Sequence, residues 1–366
     1  MAATQEQLYS GLDLDLSWSE RDLPERERTK HVHRLHPYLG KYIPQLVEEL
    51  FRRHVPRGGR VLDPFAGSGT TLVQALESGL DSVGVDIAAF NCLLMDVKTR
   101  AHNVFVLEHE LRDALARFER GEGDVGAWSP YVGTWFAPQA REDLLRFRSL
   151  AESDVLRVVL ARAARSARLT THFDLDFPLQ PAAGPYWCHK HKRECRPVER
   201  ADHFIRRYAL DTLTRLKEFA RLRNAREAAI LHGDTRELEL PGRFDAVVTS
   251  PPYPGLIDYH EQHRYAYELL GLDDRREREI GAAAGGTSKA ALAAYSDGIV
   301  DVLAACRDAL KRRGRVVIVV NDRRDLYPAI LERAGLQLEQ RYQRHVNRRT
   351  GRRAGEYYED VIVARL

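Results

Sequence analysis

The residues of this chain that could do chemistry fall in two short runs. In Ser250-Pro251-Pro252-Tyr253 a hydroxyl stands before two prolines and an aromatic ring. Proline donates no backbone hydrogen bond and fixes φ, so the run forms a rigid ledge offering a hydroxyl, carbonyl oxygens and a ring face. Such a ledge suits a planar ring that carries an amino group. The same four residues also describe a strand end closed by a proline turn. In Asp63-Pro64-Phe65-Ala66-Gly67-Ser68-Gly69-Thr70-Thr71 an acid precedes a glycine turn. Glycine lets a ligand approach the backbone, and the first N-H groups of a following helix lie open to it. Asp86 comes 23 positions after Asp63, where an acid at a second strand's end usually grips ribose hydroxyls. The turn lacks the G-x-G-x-x-G spacing of a dinucleotide site. An acid so close to the ligand would repel a pyrophosphate yet pair with an ammonium group, which favours an amino-acid-type ligand.

The elements that position these residues read as an alternation of strands and helices. Arg60 to Asp63 is a short strand, Leu72 to Ser78 a helix, and Val83 to Asp86 a second strand. Ala228 to Leu231 reads as the third strand, ending at His232-Gly233-Asp234. Phe244 to Thr249 and Arg315 to Val320 are the fourth and fifth, buried by their apolar runs. Leu336 to Arg344 and Tyr357 to Leu366 pair as a terminal hairpin. Tyr259 to Leu270 and Tyr295 to Leu310 are helical by spacing, and the charged, then Gly/Ala-rich stretch Asp273 to Lys289 reads as mobile. The order predicts an α/β fold: a mostly parallel, Rossmann-like sheet with helices on both faces. Residues 1–32 read as an arm. Residues 96–226 are too long for a connection and carry helical spacing at Leu111 to Phe118, Ala140 to Leu150, Val155 to Arg168 and Phe204 to Leu222. They are expected to form an inserted, mainly helical subdomain within a catalytic domain made of 33–95 and 227–366.

Asp63-Pro64-Phe65-Ala66-Gly67-Ser68-Gly69-Thr70 followed by Ser250-Pro251-Pro252-Tyr253 resembles the amino-methylating, S-adenosylmethionine-dependent DNA methyltransferases, which modify N4 of cytosine or N6 of adenine. The pair is more specific than either half. His36-Pro37-Tyr38-Leu39-Gly40-Lys41-Tyr42-Ile43-Pro44 resembles that family's N-terminal cofactor motif, so the likeness spans roughly 33–95 and 228–366. It implies S-adenosylmethionine as cofactor, with Asp63, Phe65, Gly67 and Gly69 at the methionine end, Asp86 at the ribose and Asp234 at the adenine amine. Tyr38, Lys41, Ala66, Thr70, Thr71, Ile87 and Thr235 belong to the same implied set. Ser250, Pro251, Pro252 and Tyr253 would be the catalytic ledge. In that family Ser at the first ledge position is more usual for cytosine enzymes, so the resemblance implies N4-cytosine methylation of a base flipped from double-stranded DNA, with N6-adenine as the alternative. An RNA base methyltransferase and a non-catalytic DNA-binding subunit are the other readings. Cytosine C5 chemistry resembles that of enzymes built on a Pro-Cys nucleophile, and none of the four cysteines follows a proline. The implied setting is restriction-modification, beside a cognate endonuclease. The inserted subdomain is expected to recognise the target, although the usual class order would place that region after the third strand.

Composition agrees with a large globular chain. Of 366 residues 44% are hydrophobic, and 56 Lys+Arg against 53 Asp+Glu leave a net charge of +3. That is no polycation, yet it supplies cations for local patches. Four cysteines make no disulfide framework in a chain this long, and no apolar run spans a membrane. A reduced, cytoplasmic protein without a membrane partner is expected. Arg162, Arg165 and Arg168 stand three apart before Thr170-Thr171, and arginines and hydroxyls are common phosphate contacts. A solvated helix face has the same pattern. Arg344, Arg348, Arg349, Arg352 and Arg353 crowd a hairpin tip, which is costly unless a polyanion is present. Cys188, His191 and Cys195 fall short of two paired C-x2-C knuckles, so a basic loop with partly buried thiols, rather than a zinc site, is expected there.

Overall fold

The computed structural model describes residues 16–18, 22–170, 180–188, 191–346 and 357–366. Its centre is a seven-stranded sheet. The strands β1 (Arg60–Asp63), β2 (Asp81–Asp86), β5 (Ala228–His232), β6 (Phe244–Thr249), β7 (Leu310–Val320), β8 (Gln337–Val346) and β9 (Tyr357–Arg365) lie in the order β5-β2-β1-β6-β7-β9-β8. The first five neighbours run parallel, with Leu62 opposite Val83 and Val247, and β9 enters antiparallel between β7 and β8. β3 (Tyr186–Cys188) and β4 (Arg193–Cys195) form a separate antiparallel pair. The expected α/β sheet is therefore present, and strand β7 begins earlier than its apolar run.

Alternation along β7 shows why the sheet carries helices on both faces. Val316, Ile318 and Val320 pack with Ile299, Val302 and Leu303 of the helix Lys289–Asp308, while Val317 and Val319 pack with Leu46, Leu50 and Phe51 of the helix Pro44–His54. Side chains point to opposite faces at successive strand positions, so an unbroken apolar run implies two covered faces. Each such fully buried Val, Leu or Ile contributes on the order of 2 kcal/mol.

Two expected boundaries shift. Leu16 is fully buried in the cluster beside Leu46 and Leu50, and Ser17 Oγ accepts from His345 N at 3.0 Å. The 1–32 segment is thus not a free arm where it is described. The boundary at 95/96 cuts the helix Ala89–Thr99. The insertion helices Val104–Glu119, Pro138–Leu150, Asp154–Ala167 and Asp202–Ala220 fall where their spacing places them. They share one hydrophobic cluster with Phe90, Leu94 and Val97 of that helix and with Tyr265 and Leu269 of Arg264–Leu270. The insertion continues the helical layer on the sheet instead of standing apart. No helix among the described residues is long and apolar enough to cross a membrane.

Candidate active site

Parallel pairing sets the carboxyl ends of β5, β2, β1 and β6 side by side, and the chain order reverses between β1 and β6. Clefts form at such switch points. Here one opens that is lined from all four strand ends, by Asp234 after β5, Asp86 of β2, Phe65 after β1 and Ser250 after β6.

The glycine turn is its floor. Gly67 N donates to Asp86 Oδ2 at 2.8 Å and Ala66 N to Val85 O at 3.0 Å, so β2 holds the turn against the acid. Asp86 Oδ1 accepts from Ala88 N at 2.8 Å and Asn91 Nδ2 at 3.0 Å. Burial pushes its carboxyl up from the usual range against these bonds. Gly67 has φ +52, and a Cβ there would come 3.1 Å from the Tyr38 hydroxyl. Both the left-handed conformation and the ring demand glycine. Lys98, 1% exposed, donates from Nζ to Ser68 O at 2.5 Å and supports the turn from beneath.

Tyr38, Lys41, Phe65, Ala66, Gly67, Thr70, Ile87, Asp234, Thr235, Ser250 and Pro252 line the cleft. Tyr38 stacks on Tyr259 at 5.5 Å and 18°, with its hydroxyl accepting from Asn91 Nδ2 at 3.1 Å. Burial pushes the Tyr38 phenol far above its usual value. Lys41 Nζ donates to His33 O at 2.6 Å, and burial pushes its ammonium down to about 8. Thr235 Oγ1 donates to Pro64 O at 3.1 Å. Asp234 is paired with Arg236 at 2.5 Å. Burial would raise this carboxyl, but the Arg236 hydrogen bonds prevail and hold it below the usual range.

Other expected residues stand behind the wall. Asp63 is 1% exposed, and its carboxylate accepts from Thr249 Oγ1 at 2.6 Å, Phe65 N at 3.2 Å, Tyr42 Oη at 3.3 Å and Thr71 Oγ1. An acid so engaged does not reach the cleft to meet an ammonium group, which corrects that expectation for Asp63 and places Thr71 with it. Gly69 packs behind the turn, where a Cβ would come 2.8 Å from Met95 Cγ. Pro251 is buried. Tyr253 leans on the apolar cluster between the sheet and the Lys289–Asp308 helix, its hydroxyl donating to Glu359 Oε1 at 3.1 Å. The Pro252 carbonyl is not without a partner either, since it accepts from Tyr295 Oη at 3.1 Å.

Sequence reasoning missed the outer wall. Tyr259, Arg278, Glu279 and Ile280 line the cleft, and the stretch expected to be mobile is pinned there. The Glu279 carboxylate accepts from Tyr259 N at 3.2 Å, His260 N at 2.8 Å and the His260 ring, while Gly255 N donates to Gly281 O at 2.9 Å. Charge and glycine content suggested solvation; the buried partners of Glu279 lie 19 and 20 positions away, beyond any local pattern.

The basic residues divide. Arg162 is 5% exposed, paired with Asp211 at 2.5 Å and Thr212 Oγ1 at 2.6 Å. Arg168 is 3% exposed and lies over the Tyr265 ring at 4.9 Å. Both arginines face the helical core, so neither is an open phosphate contact. Arg344 is buried beside Glu359 at 3.4 Å, which corrects its expected role as well. Arg348, Arg349, Arg352 and Arg353 lie outside the described residues. Arg165 remains half-buried in a groove with Arg193, Arg196 and Arg207, where β4 faces the Asp154–Ala167 and Asp202–Ala220 helices. None of these four arginines has a carboxylate at ion-pair distance among the described residues. Cys188, His191 and Cys195 gather beside that groove, with all three ligand atoms within 4.8 Å of one another.

A mostly parallel sheet whose glycine turn and strand-end acids share one cleft at the switch point has the Rossmann-like architecture of the methyltransferase fold. Residues 5–95 match the model of a DNA methylase family. The chain is 34% identical to the Type II methyltransferase M.MjaII of Methanocaldococcus jannaschii, over 99% of its own length and 85% of that protein's. It is 24% identical to the Type II methyltransferase M.MvaI of Kocuria varians, over 68% and 60%. The rRNA methyltransferase aviRa from Streptomyces viridochromogenes is similar in structure at a TM-score of 0.38, with 12% identity over 90% of this chain and 88% of that one. This chain belongs to the DNA methyltransferase family of M.MjaII, and S-adenosylmethionine is its methyl donor.

Proposed function

We propose that the chain transfers a methyl group to the exocyclic N4 amine of a cytosine flipped out of double-stranded DNA, in a restriction-modification setting. The observation that carries this reading is that Ser250 and Pro252 line the same cleft as Asp86 and Asp234, so a base on the ledge and a cofactor in the turn would meet. The cleft suits that cofactor chemically: the Asp86 carboxylate can accept from ribose hydroxyls, Phe65, Ile87 and Ile280 give apolar walls for a ring, and Lys41 offers a cation for a carboxylate. Asp234 is assigned to the adenine amine.

When bound, S-adenosylmethionine would supply a sulfonium methyl carbon: a nitrogen lone pair would take it in line as the carbon–sulfur bond breaks and the neutral thioether leaves, and the spare amine proton would pass to solvent. A cytosine amine is a poor nucleophile because its lone pair is delocalised into the ring. Ser250 Oγ, on the cleft wall, is the acceptor assigned to one of its hydrogens, since Pro251 is buried behind the wall and the Pro252 carbonyl is already engaged by Tyr295. A hydrogen bond there would draw the nitrogen toward tetrahedral geometry and localise the lone pair. No covalent intermediate is needed, and much of the rate comes from positioning. Arg165, Arg193, Arg196 and Arg207 are assigned to the DNA backbone.

The test is to incubate the protein with labelled S-adenosylmethionine and duplex DNA or RNA, digest, and identify the nucleoside. N4-methylcytosine from DNA is expected. N6-methyladenine would overturn the base assignment, and label in RNA alone would overturn the substrate. Ser250→Ala should abolish turnover while cofactor binding persists.

A further inference from the structure

We infer that Cys188, His191 and Cys195 form a structural zinc site that fixes the β3-β4 hairpin against the helical layer. The three donors converge, with all ligand atoms within 4.8 Å of one another and His191 Nδ1 3.3 Å from Cys195 Sγ. Zinc bonds of about 2.3 Å to sulfur and about 2.0–2.1 Å to nitrogen in a tetrahedron set two such donors roughly 3.5 Å apart, close to the His191–Cys195 separation, and the third donor lies near enough to join them by a small side-chain rotation.

The backbone prepares the convergence. Cys188 ends β3 and Cys195 ends β4, and in the antiparallel register Cys188 lies opposite Arg193. The two cysteines are therefore diagonal neighbours on one face. Between them Lys192 takes φ +54, and its N-H donates to Cys188 O at 2.8 Å, a tight turn that carries His191 back toward the thiols. Cys188 is 1% exposed, while Trp187 on the opposite face of β3 is 58% exposed. Two strands of three residues each have too little hydrophobic area to hold themselves together. A metal joining both strand ends and the turn supplies the missing tie, as it does in small metal-dependent elements. Two sulfurs and one imidazole suit zinc, with a fourth donor completing the tetrahedron; each cysteine gives up its thiol proton on binding.

The other cluster of metal-ligating types, His31, His33 and Glu77, differs in kind. Lys30 Nζ already bonds Glu77 at 2.6 Å, and His33 bonds Gln74 at 3.0 Å. Two of its three residues thus already bond protein groups outside the cluster, and His31 Nε2 pairs with Glu77 within it at 2.5 Å.

The consequence reaches the basic groove. Arg193 and Arg196 flank the ligand Cys195 and line the groove with Arg165 and Arg207, so the ion would hold two of its cations in place.

The proposal is tested on the full-length protein purified from zinc-supplemented medium. Elemental analysis should find about one zinc per chain, and C188S/C195S should lose it. Replacement by Co2+ should give tetrahedral ligand-field bands and a thiolate-to-cobalt charge-transfer band, and both should survive in C92S/C306S. This readout does not depend on the C188S/C195S protein folding. Zinc retained in full by a folded C188S/C195S protein, no cobalt band in the wild-type protein, or a Cys188–Cys195 disulfide with no metal would each overturn it.

Discussion

Thr249 Oγ1 donates a 2.6 Å hydrogen bond to Asp63 Oδ1, joining the acid ahead of the glycine turn to the residue just before the ledge. The two motifs, 186 positions apart, thus share one buried carboxylate. Burial pushes that carboxyl up to about 6, while the Thr249, Thr71, Phe65 and Tyr42 hydrogen bonds oppose the shift. A carboxyl whose folded pKa lies above its unfolded value adds stability below the unfolded pKa and loses it as pH rises through the folded one. For Asp63 that window runs from about pH 4 to about 6, and a shift of about two units corresponds to roughly 3 kcal/mol. Asp63→Asn removes the ionisation. Denaturant unfolding should show D63N gaining on the wild type by roughly 2–3 kcal/mol between pH 4 and pH 7. A constant difference across that range would refute a raised Asp63.

Lys41 supplies a second pH dependence, this one on cofactor binding and at higher pH. Burial pushes its ammonium down to about 8, so the cation is present below that pH and lost above it. If Lys41 meets the cofactor carboxylate, calorimetry should show S-adenosylmethionine affinity falling about tenfold as pH rises from 7 to 9, since removing a charge-assisted bond costs about 1.5 kcal/mol or more. Lys41→Met should bind weakly at every pH and lose the trend. Lys41→Arg should flatten it at higher affinity, because a guanidinium stays charged. A trend persisting in K41M would assign it to another group.

These two residues also mark what was legible without coordinates. Strands β1, β2, β5 and β6 were readable because short apolar runs end at polar or turn residues, and the glycine turn and ledge followed from their own chemistry. Helical spacing located the four insertion helices. It did not reveal which side of Asp154–Ala167 faces inward: an arginine every third position looks like a solvated stripe, yet Arg162 meets Asp211 and Arg168 covers Tyr265. Both partners lie far along the chain. Lys98 under Ser68 and Glu279 on the cleft wall were hidden for the same reason, because single charges are legible only through the buried groups they satisfy.

Tyr253 was expected to give the ledge its ring face, and its hydroxyl is tied to Glu359, which also faces Arg344. The ledge is thereby braced by the last strand. Tyr253→Phe keeps the ring and removes one hydrogen bond, a change of about 1 kcal/mol. Turnover should fall roughly three- to tenfold with cofactor affinity unchanged. Glu359→Ala removes the acceptor together with the ion pair to Arg344 and should lower turnover by at least that factor, and the double variant by little more than Glu359→Ala alone, because Tyr253 acts through Glu359. Fully additive losses would mean that Tyr253 acts on the base directly.

The basic groove, and not the arginine stripe, is the surface within the insertion that is proposed to contact DNA. Arg193, Arg196 and Arg207 line it from β4, the following loop and the Asp202–Ala220 helix, without carboxylate partners among the described residues. Phosphate contacts release counterions, so affinity should drop with salt in proportion to their number. Substituting all three by alanine should weaken binding to every duplex and lower the slope of log affinity against log salt by about 0.9 for each contact removed. Cofactor affinity should not change, because the cleft lies at the strand ends and shares none of these residues. Arg162→Ala is the contrasting variant. It removes the bonds to Asp211 and Thr212 inside the helical layer, while Asp211 keeps Arg215 at 3.4 Å, and should lower thermal stability by about 1–2 kcal/mol with the salt slope intact. An unchanged slope in the triple variant would remove the groove from the DNA interface.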